Sequence, residues 1–365
     1  MEILLYLLMF MIGYVGMVII LHNNDIHRYF IYAFVLCFVL LANFHIDGAA
    51  ELKDLEFYIH YYVHDYDSYF EIGYVLLTRI VKFFFGHNPY VFISIFALLI
   101  FLLVVAAARI CSFYLEKDEA TYLPMNNLSR SFCLFYFVCF YWGCFFVSMT
   151  LRVGLATAML YSATAFAINK KMFYCYLVAA ASVFFHSSCI VFILGVSVLL
   201  FVKNVTAKQF YIWFSIIVIS RFVLGYAFPL GKLLLNLVMN FDIFSHYFEY
   251  ILTPKSSEAV SYAPSLQDLL YCLVGFLLIK GNLSSRIYNR SVVVYFMGLT
   301  MGMIFQGSSI SMRLQWIFLS MMIFPLLLFF LDRNYSVKTK LAVIFSYAVL
   351  EEIMAIRQFG WFILV

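Results

Sequence analysis

Residues 173–201 read FYCYLVAAASVFFHSSCIVFILGVSVLLF, nearly thirty apolar positions interrupted only by His-Ser-Ser at 186–188. As one straight helix this stretch would be about 43 Å long at 1.5 Å per residue. The hydrocarbon core of a bilayer is only about 30 Å thick. Two short spans meeting at His186 therefore fit better than one, a single strongly tilted helix being the alternative. In either form the stretch has lipid as its solvent.

The whole chain shares this character. Its 365 residues are 65% hydrophobic and only 12% charged, with a mean hydropathy of +0.97. A soluble domain is about half apolar and roughly a quarter charged, so a globule this apolar has too few polar groups to cover its surface. A soluble enzyme, a disordered scaffold and a disulfide-rich secreted module are all excluded. The composition predicts an all-α fold, a polytopic transmembrane bundle of about 12 spans. They are placed near 3–21, 29–44, 89–110, 131–149, 152–168, 172–185, 187–202, 209–228, 266–280, 291–307, 314–331 and 341–356. Residues 1–365 then form a single integral membrane domain. The run 3–21 has no basic flank and no small-residue cleavage site, so it reads as a retained span.

A net charge of +4 without a long basic run leaves nucleic-acid binding no electrostatic footprint. The eight cysteines are scattered and form no C-x-x-C pair, which indicates neither a zinc site nor a disulfide framework. No cofactor is expected.

Lys and Arg in the connections set the orientation. Connections holding Arg109, Lys117 and Arg130, Lys170 and Lys171, or Lys280, Arg286 and Arg290 face the cytoplasm, and the acidic 45–88 stretch faces outward. Within that stretch Ile72, Val75, Leu76, Ile80 and Phe84 recur at helical spacing, interrupted by Arg79 and Lys82. This predicts an amphipathic helix at the membrane surface. A second long outer loop covers 229–265, and long ordered loops on a scaffold are usually functional.

Ionisable residues in or beside a span are expensive. Arg79, Arg152, Arg221 and Arg313 all fall on the outer side in this topology, against the positive-inside tendency. Snorkelling to headgroups is the bland explanation for any one of them. Four together point to an anionic ligand, because arginine grips phosphate oxygens bidentately and stays charged when desolvated. His186, in SVFFHSSCIVFI, suits a general base acting on a hydroxyl, with a structural polar turn as its alternative. In HDYDSYFEIGY, residues 64–74, Asp65 and Asp67 have a D-x-D spacing that can hold a metal against a diphosphate. The same residues, with Glu71 and Tyr74, suit contacts to sugar; an acidic solvated loop is the default for so weak a pattern.

The segment LRVGLATAMLYSATAFAINKKMFYCYLVAAASVFFHSSCIVFI, residues 151–193, resembles the core of the EpsG/Wzy-like polysaccharide polymerases. Arg152 falls on the family's arginine, Lys170 and Lys171 on its turn, and Phe185 with His186 on its Phe-His. Asp65, Tyr69, Glu71, Gly73 and Tyr74 are similar to an upstream motif, and Arg313 with Pro325 to a downstream Arg-then-Pro span. Val153 departs from the family's usual glutamine.

The resemblance implies a GT-C-like glycosyltransferase of the bacterial inner membrane with its active site facing the periplasm. It implies undecaprenyl-diphosphate-linked oligosaccharides as donor and acceptor, with membrane lipids around it and a chain-length regulator and a flippase as expected partners. Arg152 and Arg313 would clamp the donor diphosphate, with Arg221 and Arg79 in support. His186 would be the base, and Asp65, Asp67, Glu71 and Tyr74 would contact sugar. A lipid-linked oligosaccharide flippase or transporter, a membrane O-acyltransferase and a purely structural membrane subunit are the rival readings.

Overall fold

The computed structural model describes residues 2–47, 53–64, 70–115, 121–148, 150–202, 204–223, 266–304 and 309–359. Among them the chain is helical throughout, with a lone β-bridge between Tyr122 and Asp332. The outer loop 229–265 and the D-x-D pair lie outside the described residues.

Contacts group the chain into two compact units, Met1–Ile190 with Leu326–Val365, and Val191–Pro325. The first unit opens with α1 (Glu2–Asn23), α2 (Arg28–Asp47), α3 (Lys53–His64), α4 (Ile72–Phe85) and α5 (Pro89–Leu115). Then come α6 (Asn127–Val138), a π-helical turn (Cys139–Gly143), α7 (Cys144–Ser148), α8 (Leu151–Ile168) and α9 (Met172–Val183). Asn126 starts α6 by accepting a hydrogen bond from the Ser129 N–H at 2.7 Å. This satisfies one of the backbone donors that every helix start leaves without an intrahelical partner.

Helix α8 is the inner helix of this unit, packed against α5 and α9. Its Gly154, Ala156, Ala158, Ala163, Ala165 and Ala167 are all buried. Between helices in lipid no hydrophobic drive exists, so close backbone approach over small side chains supplies the packing. Of the span Leu151–Ile168, 78% is buried, against 39% of Leu4–Asn23. The latter turns Leu4, Leu7, Leu8 and Met11 outward, an apolar face that suits acyl chains.

The second unit holds α10 (Ile190–Val196, from its second residue), α11 (Val198–Phe201) and α12 (Ala207–Val218), which runs into a π-helical turn (Ile219–Val223). It continues with α13 (Leu266–Ile279), α14 (Arg286–Ile304) and α15 (Ser309–Leu319). Helix α12 opens with a capping box between Thr206 and Gln209, and α14 packs closely on α15. Residues Ile323–Leu331 form α16 across the unit boundary, and α17 (Val337–Phe359) packs on α1 in the first unit.

Where the expected spans fall on described residues, those residues are helical or lie in short turns between helices. Five are long and apolar enough to cross a bilayer: Leu4–Asn23, Arg28–Ile46, Pro89–Cys111, Leu151–Ile168 and Leu314–Leu331. The protein is a helical membrane protein. At other expected positions the described apolar helices are shorter, as in Met172–Val183 and Gln267–Ile279. The stretch 173–201 does break at His186, whose backbone is extended (φ −157°, ψ 114°) between α9 and a 3-10 turn at Ser187–Cys189.

Candidate active site

The break at His186 and the start of α4 meet in the first unit. Glu71 occupies the N-cap of α4, yet its carboxylate makes no bond to its own helix. One oxygen, Oε1, accepts from the Ser187 N–H at 3.2 Å and the Ser187 hydroxyl at 3.3 Å, and lies 3.1 Å from His186 Nδ1. The other, Oε2, forms an ion pair with Arg152 Nη1. One side chain thus joins the first turn of α8 to the break after α9.

Burial by itself would push the Glu71 carboxyl up. The hydrogen bond from His186 and the charges of Arg152 and His186 outweigh it and hold the group down at about 2. Glu71 is therefore ionised at neutral pH and can only accept hydrogen bonds. Nδ1 of His186 must then carry the proton, which makes Nε2 the basic nitrogen of the neutral ring. An oriented imidazole with its far nitrogen basic is what abstraction of a hydroxyl proton needs.

Arg152 is anchored on its other sides. Its Nε donates to the Tyr58 hydroxyl at 3.2 Å, and its guanidinium carbon lies 4.4 Å from the Phe70 ring centroid and 5.7 Å from that of Tyr58. Stacking on rings fixes the plane of the guanidinium. Behind Phe70 stand Tyr58, Tyr61 and Tyr74, with centroids 5.5, 4.8 and 5.0 Å away. With Nε and Nη1 engaged, Nη2 has no partner among the described residues and can offer two N–H donors to a ligand, and the side chain keeps 21% of its surface exposed. Such a group can stabilise developing negative charge without reorganising.

Gly73 brings the two elements together. Its N–H donates to the Phe184 carbonyl at 2.9 Å, and a Cβ there would sit 2.7 Å from that oxygen and 3.0 Å from the carbonyl carbon. Backbone cannot yield as a side-chain tip does. Gly73→Ala is expected to push α4 off the Phe184–His186 turn and cut activity by at least tenfold, the cost typical of a catalytic group misplaced by a fraction of an ångström. Membrane-extract immunoblots should show normal protein level, and wild-type activity in this variant would separate the glycine from the site.

Of the residues expected from sequence, Arg152, His186 and Glu71 converge. Glu71 carries the arginine and the histidine, where direct contact to sugar was expected. Tyr74 is fully buried behind Phe70 as packing for the ring wall, not turned toward a ligand. Arg79 is exposed on the outer face of α4 beside Ile80 and does not join the cluster, because the buried face of that helix is Tyr74, Thr78 and Val81. Arg313 belongs to α15, with its side chain outside the described residues, as are Asp65 and Asp67. Arg221 is in the second unit, buried and ion-paired with Asp268. Sequence reasoning missed Ser187, which its place beside His186 offered, and Tyr58 and Phe70, for which the sequence gives no signal. Asp268 at the start of a span was the sign overlooked in the second unit.

No curated protein and no solved structure matches this chain. The model of the EpsG family matches residues 28–359. The match spans both helical units and every residue of the Glu71 cluster, and on it the chain belongs to the EpsG family.

Proposed function

We propose that this protein is a polysaccharide polymerase joining undecaprenyl-diphosphate-linked repeat units at the periplasmic face of the bacterial inner membrane. The observation that carries the proposal is Glu71 holding an anchored arginine and an oriented histidine in one site. Family membership supports the polymerase class.

In the reaction, an acceptor sugar hydroxyl attacks the anomeric carbon of the donor. A new carbon–oxygen bond forms as the bond to the diphosphate breaks, and the lipid diphosphate departs. His186 Nε2 takes the hydroxyl proton, which later passes to solvent or to the diphosphate. Arg152 Nη2 meets the charge that grows on the departing diphosphate, the point at which fixed donors accelerate a reaction most. Direct attack inverts the anomeric centre. Arg313 is the second cation proposed for the donor diphosphate.

The test is the surface-glycan ladder, from lipopolysaccharide or capsule, of cells lacking the gene. Wild type should restore long chains, whereas His186→Ala should leave a single unit attached and lower polymer by roughly 100-fold or more, the range for loss of a general base. A full ladder from His186→Ala removes the imidazole from the chemistry. Loss of even the single unit in the deleted strain supports export of lipid-linked units instead, and labelled acyl incorporation supports the acyltransferase reading.

A further inference from the structure

The second unit has a polar cluster of its own that the scheme above does not use. Arg221, on the π-helical turn after α12, is only 4% exposed. Its Nη2 donates to Asp268 Oδ1 and to Gln315 Oε1, the latter at 3.2 Å. These partners come from the first turn of α13 and from α15. Room for the guanidinium is made by Gly302 of α14, where a Cβ would sit 2.5 Å from Arg221 Nη1 and 2.7 Å from the Gln315 amide. Four helices thus converge on a pair of opposite charges.

Two features point from this cluster to a ligand. Gln315 is 2% exposed, and the Nε2 end of its amide has no hydrogen-bond partner among the described residues. A buried donor left unsatisfied carries its desolvation cost with no return, so its retention needs another reason. Asp268 keeps 19% of its side chain exposed and is held from behind by Arg221. The arginine is neutralised by that carboxylate and is poorly suited to a diphosphate. A carboxylate that accepts beside an amide that donates is instead complementary to neighbouring hydroxyls, each of which is both donor and acceptor.

We infer that Asp268 and Gln315 form a sugar-hydroxyl subsite in the second unit, with Arg221 and Gly302 as positioning residues. The ligand class is an uncharged stretch of glycan; this rests on the polymerase reading for the source of that glycan, not for the chemistry of its recognition. Its contacts are to hydroxyls and not to phosphate.

The experiment uses the purified full-length protein in nanodiscs and the free oligosaccharide released by mild acid from the lipid-linked units of the same cells. Binding is measured by saturation-transfer NMR and titration. Wild type should bind, inorganic diphosphate should not compete, and Gln315→Met and Asp268→Asn should each weaken binding at least tenfold. Gln315→Met removes the unsatisfied donor together with one acceptor of Arg221, which keeps its bond to Asp268. Its thermal midpoint is therefore measured beside binding, and lost affinity in a variant that still unfolds cooperatively is the expected result even if Asp268→Asn proves unstable. Wild-type affinity in Gln315→Met, competition by diphosphate, or no binding to wild type would each overturn the subsite. A normal glycan ladder in the deleted strain would instead remove the polymerase reading and leave the binding result standing.

Discussion

Arg152→Ala should collapse the glycan ladder to single units, with turnover down roughly 100- to 1000-fold, the range for removing one preorganised donor at a developing charge. Protein level should hold, because Glu71 keeps its bonds to Ser187 and His186 when the arginine is gone. Arg152→Lys should recover little. An ammonium has no planar fork to stack on Phe70 while reaching Tyr58, Glu71 and a ligand together. The decisive comparison is the double variant Arg152→Ala with Glu71→Ala. If Arg152 served only to neutralise Glu71, removing both would restore activity. Persistent loss is the expected result, read from polymer length on gels and from turnover with lipid-linked units.

Glu71→Gln should cost roughly 100-fold or more in turnover with little change in apparent affinity for acceptor. The amide keeps the shape but no longer obliges Nδ1 of His186 to hold the proton, so the basic nitrogen is lost for part of the population. The variant also has a signature in pH. In the wild type the folded-state value of about 2 lies below the ordinary 4.5. The ionised carboxylate therefore contributes stability that is fully present above about pH 4.5 and is lost as pH falls toward 2. The unfolding midpoint of wild-type protein should drop across that window, and the drop should be smaller in Glu71→Gln. Any fall in wild-type rate between pH 7 and 5 belongs to another group, since Glu71 stays ionised there. Unchanged turnover alongside a lowered midpoint would make Glu71 a structural residue only.

The helices were legible because lipid leaves a chain few choices. Backbone groups must pair within each segment, so a run such as 89–110 declares itself as a helix, here α5. The break at His186 was legible for a related reason, a polar triplet inside an apolar run too long for one crossing. What the sequence could not show is convergence. Arg152 and His186 were visible as misplaced charges, and Glu71 as one of seven acidic residues between 45 and 71. Nothing in their spacing set Glu71 between the other two, because that contact depends on Gly73 docking on Phe184 across more than a hundred residues of chain. Arg221 was visible as a charge without its partner. Its outer-side position suggested a phosphate ligand, and nothing in the spacing announced that Asp268 pairs with it.

The brevity of α9 reaches beyond the protein. Twelve residues, Met172–Val183, make a helix about 18 Å long, well short of the roughly 30 Å that acyl chains fill. Phe173, Tyr174 and Leu177 face outward along it, so where this helix borders lipid the hydrophobic belt would be narrower than the acyl layer. Such mismatch is relieved by thinning the bilayer locally, at a modest cost for each ångström. The protein would then gather short or disordered chains on this flank. If the proposed lipid-linked substrate is the true one, its long, kinked polyprenyl tail would find less resistance there than in undisturbed membrane.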